Sequence, residues 1–145
     1  MRRRLQQATR ASLPAFALPV RVLVVVSRLD DAGFIDPRAV SAPLLDALDE
    51  LGARVEVEFL PRATLGALSA RLREKSAPPV HVVHFDGHGV YDSDVGLGFL
   101  LFEDDRHQGD RVDANRLGTL LNRCGVPLMG CATSLATCRR MRQYP

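Results

Sequence analysis

Val80-His81-Val82-Val83-His84-Phe85-Asp86-Gly87-His88-Gly89-Val90-Tyr91 is the stretch that decides how this chain is read. An apolar run reaches Phe85 and breaks at Asp86-Gly87-His88-Gly89. The run predicts a strand over 80–85, and the break predicts a turn at its end. Gly87 and Gly89 carry no Cβ, so positive φ is open to the backbone around His88 and a second chain can approach closely. On this reading His88 stands in the open at a strand tip. The plainer reading is a tight strand-to-loop turn with no chemistry. Further on, Val126-Pro127-Leu128-Met129-Gly130 brings a second apolar stretch to Cys131, followed by Ala132, Thr133 and Ser134. A histidine at one strand end and a cysteine at the next suit thiol-based acyl transfer, in which a base must reach the sulfur.

The flanking sequence alternates strand and helix. Val20 to Ser27 is nearly unbroken in β-branched residues, which predicts a strand buried on both faces. Ile35-Asp36-Pro37 predicts a helix start, with Asp36 as cap and Pro37 in the first turn. Val40, Leu44, Leu45, Leu48 and Leu51 follow at helical spacing, and Gly52 stops them. Arg54 to Leu60 alternates as a strand with one wet face, near a sheet edge. Thr64 opens a second helix carrying Leu65, Leu68 and Leu72. After His88, Gly96 to Phe102 predicts a hairpin strand, with Glu103-Asp104-Asp105 as its turn. Asp113 caps a helix with Leu117, Leu120 and Leu121 on one face. Val126 to Gly130 is the fourth parallel strand. Alternating strands and helices imply an α/β fold whose mainly parallel sheet has its site beyond the carboxyl ends of the strands.

Val82-Val83-His84-Phe85-Asp86-Gly87-His88-Gly89-Val90-Tyr91-Asp92, followed by Gly96-Leu97-Gly98-Phe99-Leu100-Leu101-Phe102-Glu103-Asp104, resembles the CHAT domain. This is a caspase-like domain often attached to TPR repeats, with caspases, gingipains and separases as wider relatives. Arg21 to Ala39 also resembles the start of such a domain, and the resemblance runs from about Arg21 to about Cys131. It implies a three-layer caspase-like sandwich and peptide-bond hydrolysis by a cysteine endopeptidase of clan CD. It implies His88 as the base. The nucleophile of the family's Leu-Asn-Ala-Cys pattern falls on Cys131 in Leu128-Met129-Gly130-Cys131, with Leu135-Ala136-Thr137-Cys138 as the alternative. The family domain continues past its cysteine, so the sequence is expected to be a partial domain cut after the fourth parallel strand. Such a piece is expected to be weakly active or inactive and to associate through an uncovered edge. The alternative reading is a non-catalytic interaction module of the same fold. The expected organisation is a basic linker or tail over 1–19, the partial domain over 20–138 and an irregular tail over 139–145.

Other residues bound the function further. His81 and His84 are three apart, so a strand turns them to opposite faces and they cannot share an ion; no metal or cofactor is expected. Asp86 either orients His88 or makes a local turn bond. Cys124, Cys131 and Cys138 form no Cys-x-x-Cys, and Cys124 reads as structural at a helix end. No Gly-x-Gly-x-x-Gly follows the first strand, which counts against a nucleotide site. Net charge is +2 over 145 residues, but 1–19 holds Arg2, Arg3, Arg4 and Arg10 with no acid. With Arg139, Arg140 and Arg142 also set aside, the middle stands at −5. The basic ends have no interleaved aromatics to stack on bases, so they read as solvated arms and not as a nucleic-acid surface. No apolar run is long enough for a membrane helix. The arginine-rich, lysine-poor composition points to a GC-rich bacterium. Free thiols and the absence of a leader point to the cytoplasm. The expected partners are a protein or peptide substrate and upstream TPR or other interaction domains.

Overall fold

The computed structural model describes residues 16–137, without the side chains of 37–41 and 133–137. The chain runs β1 (Val20–Val26), α1 (Pro37–Asp49), a 3-10 turn (Gly52–Arg54), β2 (Val55–Phe59), α2 (Leu65–Arg73), β3 (Val82–Asp92), β4 (Leu97–Glu103), β5 (Gly109–Asp113), α3 (Ala114–Arg123) and β6 (Leu128–Thr137). The helices begin where the sequence predicts. The Thr64 hydroxyl accepts from the Ala67 N–H, and Asp113 Oδ1 accepts from the N–H groups of Asn115 and Arg116. Gly52 takes a φ of 53°, which a side chain would resist, and this separates α1 from β2.

The strands form one six-stranded sheet. β2, β1, β3 and β6 are mutually parallel, with Val22 level with both Val57 and Val82, and Val82 level with Leu128. Beyond the end of β1, the same edge of β3 is taken over by β4, which pairs antiparallel with Gly89 opposite Leu100, and β5 continues the hairpin. The result is a mixed α/β sandwich in which the caspase-like parallel core carries an antiparallel extension.

The two faces of the sheet differ in character. Leu23, Val25, Val83, Phe85 and Phe102 face Leu68 of α2 and Leu117, Leu120 and Leu121 of α3 in one buried cluster. The rings of Phe85 and Phe102 meet at 4.9 Å, tilted by 39°. Val22, Val24, His84, Asp86 and His88 alternate onto the other face. The chain moves from β1 to β2 in one direction and from β2 to β3 and β6 in the other. Right-handed crossovers therefore put α1 on the face opposite α2 and α3.

Two expectations are corrected here. The predicted 80–85 strand does not stop at Asp86-Gly87-His88-Gly89. β3 runs through it to Asp92, because β6 on one side and β4 on the other supply ladder partners for it. Positive φ among the glycines falls at Gly52, Gly96 and Gly125, and not at Gly87 or Gly89. The last strand likewise extends from Leu128 to Thr137, so Cys131 sits inside it and not at its tip.

Candidate functional site

His88 lies in β3 on the α1 face and is only 5% exposed, so it does not stand in the open. Its register partner on β6 is Ser134. Its Nδ1 is buried with no hydrogen-bond partner among the described residues. Gly87 beside it serves packing. A Cβ on Gly87 would lie 2.9 Å from the Phe85 ring and 3.0 Å from Ser27 Cβ, so Gly87 is the space into which Phe85 folds.

Asp86, on the same face as His88, is engaged by Arg28: Nη2 donates to Oδ2 at 2.9 Å and Nη1 to Oδ1 at 3.3 Å. Arg28 Nη1 also donates to the backbone carbonyls of Ser27 and Asp86. This bidentate clamp joins the end of β1 to β3 directly below His88, a role that neither reading of Asp86 from sequence supplied. It is continued by Glu103, whose Oε1 accepts from the Arg28 backbone N–H at 3.0 Å and whose Oε2 lies 3.2 Å from His107 Nδ1. The Ser27 hydroxyl donates to the Leu101 carbonyl. The loop after β1 is thus fastened to the β4–β5 hairpin. Asp104 closes that hairpin by accepting from Arg106 and Gln108, which lowers its carboxyl below the usual range.

Cys131 is level with Phe85 on β3, and register partners share a face. Its thiol therefore belongs to the α3 face, next to Met129, Leu117 and Leu121 around an open cavity. Part of its surface meets solvent, yet the apolar surroundings push the thiol above the ordinary cysteine range. His88 is three register positions further on, about 10 Å along the strand, and on the other face. A general base works within about 3 Å of the proton it takes. The fold thus brings His88 level with Ser134 and Cys131 level with Phe85, and it does not bring His88 and Cys131 together. Cys138 lies outside the described residues.

The remaining histidines have local roles. His81 Nδ1 accepts from the Arg21 N–H at 2.9 Å, and its ring meets Phe16 at 5.2 Å. The His84 ring packs over Gly130, where a Cβ would come within 3.2 Å of Nδ1. Burial lowers the His84 pKa, against a smaller opposing pull from Asp86. Cys124 caps the C-terminal end of α3 and is half-buried. Among the described residues no group of histidine, cysteine and carboxylate side chains has the grouping of a metal site, and no helix is long and apolar enough to cross a membrane. The sequence reading missed Arg28 and the cavity beside Cys131. Arg28 carried no signal, because its acidic partner is remote in sequence. The cavity had one, a glycine at 118 inside the pattern of the third helix.

No curated protein matches this chain by sequence. A family model does match, over residues 2–141, taking in most of the basic stretch at the start as well as the sheet and its helices. With a caspase-like α/β sandwich and the Gly-His-Gly segment on its central strand, the chain belongs to the CHAT-domain family, a caspase-like, peptidase-related group.

Proposed function

We propose that this chain is a caspase-like domain that engages a protein or peptide partner without cleaving it through a His88–Cys131 dyad. The observation that carries this reading is the register of β3 and β6. It separates the imidazole and the thiol by about 10 Å along the strands and by the thickness of the sheet. Misplacement by about 1 Å already costs an enzyme roughly a hundredfold. The raised Cys131 thiol supports the same reading, because a nucleophilic cysteine needs a lowered pKa or an adjacent base. The catalytic reading keeps one favourable observation, the buried and unpartnered Nδ1 of His88.

The test is alkylation with limiting iodoacetamide and mass mapping of Cys124, Cys131 and Cys138 in wild type and in His88→Ala. We expect the Cys131 rate to be the same in both proteins within a factor of two. A drop of tenfold or more at Cys131 on removing His88 would restore the dyad and the peptidase reading. The same drop at Cys138 would move the nucleophile there.

A further inference from the structure

We propose that the cavity between α3 and the sheet is a binding site for a neutral, apolar small molecule, with Cys131 as part of its wall and not as a nucleophile. The cavity measures about 440 Å³ and is walled by Leu100, Val112, Leu117, Leu121, Met129 and Cys131. That volume lies within the range of small-ligand sites, which are mainly apolar clefts with few polar groups.

Its cause is legible residue by residue. On the α3 face of β3, Phe85 is followed by Gly87 and Gly89 before the next side chain, Tyr91. Phe85 folds over Gly87, and Gly89 contributes to the cavity lining. On β4 the row Phe102, Leu100 ends at Gly98 in the same way. Above them α3 presents Gly118. A Cβ built at Gly98 or at Gly118 meets nothing within 4 Å. A glycine inside a helix costs about 0.5–1 kcal/mol relative to alanine, so at Gly118 the helix gives up stability to keep this space open.

The charge of the lining selects the ligand class. Among the described lining residues the ionisable side chains besides the cysteine are Tyr91 and Asp113, and Asp113 Oδ1 is already held by the first turn of α3. Among the described residues no lysine, arginine or histidine lines the cavity to receive a carboxylate or phosphate. The apolar surroundings push the Cys131 thiol above the ordinary cysteine range. An anionic ligand would lose its hydration with nothing in exchange, whereas a neutral apolar one gains burial against leucines and two soft sulfur atoms. This site is independent of the dyad question, since it uses Cys131 only as surface.

The experiment uses the neutral fluorophore N-phenyl-1-naphthylamine with the whole chain. We expect saturable enhancement of its emission and at least a fivefold slowing of Cys131 alkylation at saturation, with Cys124 labelling unchanged. Gly118→Leu, which projects a side chain into the space, is expected to weaken binding tenfold or more while keeping a cooperative melt. Should that variant fail to fold, the protection of Cys131 in the wild type decides alone. Equal labelling of Cys131 with and without probe, or undiminished binding by a folded Gly118→Leu, overturns the proposal. Protection by the anionic analogue 1-anilinonaphthalene-8-sulfonate at equal concentration overturns the assignment to neutral ligands.

Discussion

Gly87 and Gly118 are the same residue type under opposite constraints. At Gly87 a methyl group would strike the Phe85 ring and Ser27 Cβ, both buried, and Phe85 is itself locked against Phe102. Overpacking of that kind costs about 1–3 kcal/mol, so Gly87→Ala is expected to destabilise the domain by about 2 kcal/mol. Gly118→Ala is expected to stabilise it by about 0.5–1 kcal/mol, because the helix gains a better former and the methyl enters empty space. Denaturant unfolding of the pair checks both signs; equal effects would refute the packing account of Gly-His-Gly. His84 gives the residue-scale pH dependence. Its folded pKa is lowered by burial, so the unfolded chain binds the proton more readily. Above its unfolded value near 6.5 both states are neutral and stability is full. As pH falls below that, the unfolded state gains a proton that the folded state refuses, and stability declines towards the folded pKa. The melting temperature is therefore expected to fall between pH 7 and 5 with a steeper slope in wild type than in His84→Asn. Parallel slopes would show that another group sets the dependence.

Among the elements, β3 is where the sequence was legible in kind and misread in extent. Its apolar start, the helices with their Thr64 and Asp113 caps, the hairpin and the parallel order all follow from local signals, because period, capping and β-branching act over a few residues. The continuation of β3 through Asp86-Gly87-His88-Gly89 does not. Glycine punctuates a strand when judged locally, but here β4 and β6 both offer ladder partners, and tertiary pairing outweighs local propensity. The face on which Cys131 falls depends on the β3–β6 register, and a one-residue slip reverses it, so spacing along the chain could not supply it. The Arg28–Asp86 clamp is another long-range feature, and it carries the element-scale prediction. Asp86 is almost wholly buried while Arg28 reaches it from the loop after β1. Removing the guanidinium takes two charge-assisted hydrogen bonds from a buried carboxylate, so Arg28→Ala is expected to cost about 2–3 kcal/mol and to loosen the join between β1, β3 and the hairpin. The double variant with Asp86→Asn should recover part of that loss in equilibrium unfolding. An Arg28→Ala effect below about 0.5 kcal/mol would mean the pair behaves as an ordinary surface bridge.

At the scale of the whole molecule, the sheet is unevenly finished. β2 pairs with β1 alone among the described residues, and its two faces differ. Glu56 and Glu58 are held by Arg21 and Arg71 on the α2 side, where the bidentate Arg71 bond lowers the Glu58 carboxyl below its usual range. Val57 and Phe59 share the face of Val22 and Val24, yet they stay 37% and 48% exposed, with Leu45 and Leu51 also exposed. A strand edge with unpaired backbone groups and an apolar side invites pairing with another chain. Charges pin one face, so association is expected through the backbone of β2 with Val57 and Phe59 buried against the second strand. We expect the average mass in sedimentation velocity to rise with concentration, and Val57→Lys to return it to that of a monomer, because a lysine on an edge strand resists burial. Val57 borders solvent, so this change is not expected to lower the melting temperature by more than a few degrees. A wild-type chain that stays monomeric across the concentration range, or a Val57→Lys chain that associates as strongly, would show that the β2 edge is closed by some other means.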